Sequence, residues 1–175
     1  MEGLMRLKAM AKINLGLDVL GKREDGYHEV RMIMQTIRMY DILDIRKTRR
    51  PGIVLTTNLP FIPTDQRNLV YKAAQMLMEE FDVEEGLSIK LRKFIPVAAG
   101  MAGGSSDAAA AFVGVNRMFH LGLTEEQLME RAVKVGADVP YCIMRGTALA
   151  EGIGEKLTRL PEVPKCYVLI GKPGI

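Results

Sequence analysis

Pro96-Val97-Ala98-Ala99-Gly100-Met101-Ala102-Gly103-Gly104-Ser105-Ser106-Asp107, followed by Ala108 to Ala111 and Phe112, is a run of small residues between two periodic segments. Upstream, Leu87, Ile89 and Leu91 alternate with Ser88, Lys90 and Arg92, the pattern of a strand over residues 86–95. Downstream, the alanines predict a helix. Small residues let backbone N–H groups come close to a phosphate, and the free N–H groups and dipole of a helix start favour negative charge. Ser105 and Ser106 can add hydroxyl donors. A tight turn with a serine N-cap is the plainer reading. The length of the segment and its lack of bulky residues other than Met101 favour an anion site. No Lys follows the glycines as in Gly-x-x-x-x-Gly-Lys-Ser/Thr, and the spacing is not Gly-x-Gly-x-x-Gly, so both common nucleotide fingerprints are excluded.

Toward the N-terminus, residues 4–20 favour extended structure, with Met5, Leu7, Ala9, Ala11 and Ile13 on one face and Leu15, Leu17 and Val19 continuing the alternation. Gly21-Lys22-Arg23-Glu24-Asp25-Gly26 is a polar turn, and a second extended region runs from His28 to about Arg46. Residues 53–57 form a third. From Asn68 to Phe81, Leu69, Val70, Ala73, Ala74, Leu77, Met78 and Phe81 recur at helical spacing, with Asp65 or Asn68 as cap. Thr124-Glu125-Glu126-Gln127 is a capping box; Leu128, Ala132, Val133 and Val135 form the buried side of its helix, and Gly136 is the stop. Residues 141–150 and 165–170 read as further strands. Strands first, then helices interleaved with strands, is the order of an α+β fold.

The 175 residues, 48% hydrophobic and 26% charged, suit one globular domain, or one and part of another. Residues 166–170 form an apolar strand leading into Gly171-Lys172-Pro173-Gly174-Ile175 with no finishing element, which reads as an interrupted second unit. No window approaches the roughly 18 apolar residues of a membrane helix. The start lacks a secretion signal, and Cys142 and Cys166 are the only cysteines, so the expected setting is the cytoplasm, away from any membrane. Two Cys and two His far apart cannot build a structural zinc site, so a metal would arrive with a substrate. The net charge is +3, the 24 Lys and Arg are spread along the chain, and Trp is absent. That pattern favours an anionic small molecule over nucleic acid. Oligomeric state is not legible.

The loop resembles the phosphate loop of the GHMP kinases (galactokinase, homoserine kinase, mevalonate kinase, phosphomevalonate kinase), whose pattern is Pro-x-x-x-Gly-Leu-Gly-Ser-Ser-Ala. Four further stretches, Ala11-Lys12-Ile13-Asn14-Leu15-Gly16-Leu17, Gly21 to Gly26 with Tyr27-His28-Glu29, Gly136-Ala137-Asp138-Val139-Pro140-Tyr141-Cys142 and Gly146 to Glu155, resemble the 4-diphosphocytidyl-2-C-methyl-D-erythritol kinases within that group. The resemblance covers about residues 7–160 in the expected order. It implies an α+β, ribosomal protein S5 domain 2-like N-terminal ATP-binding domain over residues 1–160. Residues 161–175 would then open a ferredoxin-like C-terminal domain, of which roughly another hundred residues would be missing. The implied activity is ATP-dependent phosphorylation of the 2-hydroxyl of 4-diphosphocytidyl-2-C-methyl-D-erythritol, in the non-mevalonate route to isoprenoids, with Mg2+ carried by ATP. A homoserine or mevalonate type of kinase, or an inactive nucleotide-binding fragment, are the alternatives.

The same resemblance assigns roles that the residues alone leave open. Lys12 in an apolar strand is ordinarily an edge lysine reaching for water. Asp138 is ordinarily a turn cap. The resemblance makes them the catalytic pair, Asp138 taking the hydroxyl proton and Lys12 facing the developing alkoxide. Asn14 otherwise reads as a surface amide, Asn68 as a helix cap and Tyr27-His28 as the close of a turn. By resemblance Asn14 lies near the acceptor, Asn68 borders the adenine, and Tyr27 and His28 hold the cytidine by stacking and base-edge hydrogen bonds. Residues 96–106 would hold the ATP phosphates.

Overall fold

The structure, a computed structural model, describes residues 3–171. The alternating N-terminal segments form two long antiparallel strands, β1 (Met5–Lys22) and β2 (His28–Thr48). Their turn closes as Asp25 Oδ1 accepts from the Tyr27 N–H at 3.1 Å while Gly26 takes φ +87°, a value glycine adopts at no steric cost. β3 (Ile53–Thr57) leads through α1 (Leu69–Glu80) to β4 (Gly86–Arg92), which pairs parallel with β3 and antiparallel with β2. Then come α2 (Gly103–Met118), α3 (Glu125–Ala132), α4 (Val139–Met144), β5 (Thr147–Gly152) and β6 (Lys156–Arg159).

The six strands make one sheet, in which β2 is the hub. β1 follows it nearly end to end, residues 42–48 pair with β4, and residues 30–35 pair with β5. The mixed α+β class expected from the sequence is thereby found.

The core lies between one sheet face and the helices: Leu43, Ile45, Leu87, Ile89 and Leu91 meet Val70, Ala73, Ala74 and Leu77 of α1 and residues 108–112 of α2. α2 sits close because Ala108 to Ala111 and Gly114 keep much of its inner side small. A Cβ on Gly114 would stand 2.6 Å from Ile45 Cδ1 and 3.0 Å from Leu7 Cδ1. Gly114→Ala should therefore destabilise, despite the helix preference of alanine, by about 1–2 kcal/mol, seen as a drop of roughly 3–6 °C in the unfolding midpoint by differential scanning fluorimetry.

Three sequence expectations need correction. Residues 141–150 are not one strand: residues 139–144 form the short helix α4, and the strand begins only at Thr147. An unbroken apolar run carries no period to separate a buried helix from a buried strand, and Pro140 in its first turn suits a helix start. The helix after the capping box, whose reciprocal Thr124–Gln127 bonds are both present, ends at Ala132 rather than at Gly136. Lys134 and Val135 bond three residues back to Arg131 and Ala132, which tightens the last turn out of α-helical form. Residues 165–170 form no strand; Tyr167 and Leu169 stand fully exposed with no ladder beside them. Residues 172–175, part of the expected second unit, lie outside the described residues. β6 was not anticipated.

Candidate active site

Residues 96–104 line a cavity of about 380 Å³, together with Asn68 and Leu69 from the start of α1, Lys93, and Asp107 from α2. Three backbones in the loop are left-handed: Ala98 (φ +56°), Gly100 (φ +70°) and Ala102 (φ +53°). For alanine that conformation costs about 1 kcal/mol and is kept only where surroundings impose it. The surroundings are a small second core in which Met101 packs with Ala11 and Ile95. The bulky residue of the loop is thus its anchor. Ala102 caps α2 without a side-chain hydrogen bond, so the first N–H groups of that helix face the loop without a protein side-chain cap, an arrangement suited to an anion.

Ser105 and Ser106 do not line the cavity. Ser106 is buried and its hydroxyl donates to the Met10 carbonyl of β1, so it ties the helix to the sheet instead of offering a proton to a phosphate. Asn68 also differs from its expected role in part. It borders the cavity, yet its side chain accepts from Val70 N–H at 2.9 Å and donates to the Pro63 carbonyl at 2.8 Å, the work of an N-cap.

Lys12 follows a register shift in the β1–β2 ladder and is only 5% exposed. Its backbone N–H donates to the Met101 carbonyl at 3.2 Å, which stitches the loop to β1. Its ammonium lies 3.0 Å from Asn14 Oδ1 and 3.6 Å from Asp138 Oδ2. Asp138 occupies the N-cap position of α4 but makes no capping bond; its side chain, 31% exposed, is turned to Lys12 and to solvent. Lys12, Asn14 and Asp138 are therefore one cluster adjoining the loop. Tyr27 and His28 are not brought to it. His28 pairs with Lys22, ten residues along β1 from Lys12 and beyond two further register shifts. Both side chains are exposed at the end of the hairpin.

Beneath the loop lies a charged cluster absent from the sequence reading. The Lys93 ammonium bonds Asp41 Oδ2 and, at 2.6 Å, Asp107 Oδ2. Asp41 Oδ1 accepts from the N–H groups of Phe94 at 2.5 Å and Ile95 at 2.8 Å, fixing the chain just before the loop. All three side chains are buried. Burial pushes the Asp107 carboxyl well above the ordinary carboxylate range; Lys93 opposes the shift and Asp41 adds to it. Among the described residues Asp107 Oδ1 has no hydrogen-bond partner. A carboxyl with a raised folded-state pKa holds its proton in the folded state after the unfolded chain has lost it, so stability falls as pH rises from about 3.8 to the folded value. The unfolding midpoint of Asp107→Asn should accordingly gain on that of the parent chain as pH is raised across this window, measured by fluorimetry at a series of pH values. A constant difference would show that Asp107 does not titrate there.

Residues 68–146 match the family model described as the GHMP kinases N terminal domain. The chain is 57% identical, over 98% of its length, to the 4-diphosphocytidyl-2-C-methyl-D-erythritol kinase of Lachnospira eligens, and 55% identical, also over 98%, to that of Caldicellulosiruptor bescii. It spans 59% and 60% of those two proteins. Among solved structures, a crystal structure of 4-(cytidine 5'-diphospho)-2C-methyl-D-erythritol kinase superposes with a TM-score of 0.78 at 35% identity, covering 89% of this chain and 55% of that one. Homoserine kinase from Cytophaga hutchinsonii superposes at 0.73 with 19% identity, covering 92% and 53%, a likeness of fold alone. In its glycine loop, its α+β fold and these likenesses the chain is similar, over nearly its whole length, to kinases of the GHMP group.

Proposed function

We propose that this chain is the nucleotide-binding part of a kinase that moves the γ-phosphoryl group of ATP to the 2-hydroxyl of 4-diphosphocytidyl-2-C-methyl-D-erythritol. The observation that carries the reading is Lys12. Its backbone holds the loop at Met101 while its ammonium faces Asn14 and Asp138, so the phosphate-binding segment and the proposed base share one residue. A binding module has no use for a carboxylate beside its phosphates, because the two repel.

Phosphoryl transfer needs alignment and charge stabilisation more than covalent chemistry from the protein. The loop N–H groups and the start of α2 would hold the phosphates, with Mg2+ carried by ATP. Asp138 accepts the 2-hydroxyl proton as the bond from that oxygen to phosphorus forms and the bond to the ADP oxygen breaks. The Lys12 ammonium stabilises the alkoxide as it develops. Asn14 fixes the Lys12 side chain at 3.0 Å. Tyr27 and His28, at the far end of the hairpin, would take the cytidine of an elongated acceptor.

The high identity to kinases of this name supports that acceptor over homoserine or mevalonate, whose kinases share only the fold at 15–19% identity. Residues 1–160 are proposed as the N-terminal domain and residues 161–175 as the beginning of the next. Cytoplasmic work suits two cysteines that form no disulfide. Among the described residues no helix is long and apolar enough to cross a membrane.

The test is phosphorus NMR of the chain with magnesium ATP and diphosphocytidyl methylerythritol, with homoserine and mevalonate in parallel. A new monoester with the cytidyl acceptor alone is the expected result. A monoester from homoserine or mevalonate instead would overturn the acceptor. With no product, ATP-dependent shifts of the loop amides would leave a nucleotide-binding fragment, and their absence would overturn the reading.

A further inference from the structure

The helices cover only one face of the sheet. On β1, β2 and β4 the inward positions are Leu7 and Ala9, Leu43 and Ile45, and Leu87, Ile89 and Leu91, all buried. The alternate positions point away from the core. Cross-strand register sets them in rows: Arg6 opposite Asp44 opposite Lys90, and Lys8 opposite Ile42 opposite Arg92, with Arg46 two residues beyond Asp44. Five cations from three strands thus share one open face with a single carboxylate.

That carboxylate is already compensated. Asp44 takes Arg6 Nε at 2.6 Å and Arg92 Nη2 at 3.1 Å, and Arg6 is the main cause of its lowered pKa. Arg46, Lys90 and Lys8 remain exposed beside it. The Lys8 ammonium sits 4.4 Å from the ring centre of Tyr40, which places one aromatic at the end of the cationic rows. The linear spread of Lys and Arg, which argues against nucleic acid in the sequence, hides this gathering, because residues 6–8, 46 and 90–92 meet only through strand pairing.

We propose that this face binds the sugar–phosphate backbone of a single-stranded nucleic acid without sequence preference. Alternate residues on a strand are about 6.6 Å apart and neighbouring strands about 4.8 Å apart, so the cations form a grid that a flexible chain of phosphates can follow. Guanidiniums supply forked donors suited to phosphate oxygens, and Tyr40 offers a ring edge for a base. An anionic membrane surface is the less suitable partner. Interfacial binding needs apolar side chains interleaved with the cations, whereas beside these rows the largely exposed aliphatic side chains are Val54 at one edge and Leu4 just before β1, against five cations. None of these residues belongs to the Lys12–Asp138 cluster or to the loop, so the inference stands whether or not the kinase reading does.

The experiment is fluorescence anisotropy of a labelled single-stranded RNA of about 12 nucleotides titrated with the 175-residue chain. With about four phosphates engaged, affinity should fall about 20-fold for a threefold rise in salt. The double variant Arg46→Glu with Lys90→Glu removes two cations that make no ion pair in the structure, and should bind at least about tenfold more weakly, with the salt effect reduced to about fivefold. The control Lys72→Glu with Lys134→Glu makes the same change of net charge on exposed residues of the helical side and should leave binding within about twofold. Circular dichroism confirms that each variant is folded. Equal losses in the two variants, or no loss in the first, would overturn the proposal. So would retention by vesicles containing phosphatidylglycerol without binding of the RNA.

Discussion

Lys93→Met should lower the unfolding midpoint by about 10 °C or more, the largest loss of stability expected from any single replacement discussed here. Lys93 lies between Asp41 and Asp107, and none of the three side chains reaches solvent appreciably. Removing one partner of a buried ionic cluster leaves charge uncompensated in a poor dielectric, at about 3–5 kcal/mol. For a chain of this size each kcal/mol shifts the midpoint by roughly 2–4 °C. The cost falls mainly on Asp41, because burial already favours the neutral form of Asp107. A sharper test follows from that division. Asp41→Asn keeps an oxygen to accept the Phe94 and Ile95 N–H groups but removes the negative charge. On its own it should destabilise; in the Lys93→Met background it should recover part of the lost midpoint. If the two losses simply add in thermal melts, the cluster is not held together by charge.

Asp138→Asn should reduce phosphoryl transfer by about 10²–10⁴-fold, the usual contribution of a positioned general base, while changing ATP affinity by less than about threefold. The separation follows from the structure. Among the described residues the Asp138 side chain makes no capping bond and pairs with Lys12 at 3.6 Å, and it is partly open to solvent, so its loss should disturb neither α4 nor the loop. Lys12→Met should lower turnover comparably. Because the Lys12 contact to Met101 is made by the backbone, the loop keeps its tie to β1 in that variant. Rates come from monoester formation by phosphorus NMR, and ATP affinity from titration calorimetry. A weakening of ATP binding that matches the loss of rate in either variant would assign the residue to the phosphates instead of to the hydroxyl.

What the sequence made legible was local. The alternation in β1, β2 and β4, the helical spacing of α1 and the Thr124 capping box each follow from a few neighbouring residues, and each is found. The expectation of an anion site at residues 96–104 was equally local, since it rests on small residues before a helix start. Lys12 and Asp138 were different. From the residues alone each has an ordinary structural reading, and only family resemblance pairs positions 12 and 138. The Asp41–Lys93–Asp107 cluster escaped notice although its trace is present. Lys93 continues the parity of Leu87, Ile89 and Leu91, and Asp41 shares that of Leu43 and Ile45, so each charge falls on an apolar face. Each lies inside a segment that reads as strand, and a lone charge on an apolar face does not reveal which distant residue pairs with it. The tie of the Ser106 hydroxyl to the Met10 carbonyl escaped the sequence for another reason: which side of a helix faces the sheet depends on packing that no local pattern records.

On the proposed reading the β1–β2 hairpin carries the transfer centre near its middle, at Lys12 and Asn14, and the cytidine contacts at its tip, with exposed ladder between. On that reading it works as a ruler. Two residues added to each strand between Asn14 and Gly21 would preserve which side chains face which side, yet move the tip outward by roughly 7 Å. Acceptor length would then be selected by the number of rungs rather than by the shape of any pocket, and could be altered without touching a residue that handles phosphate.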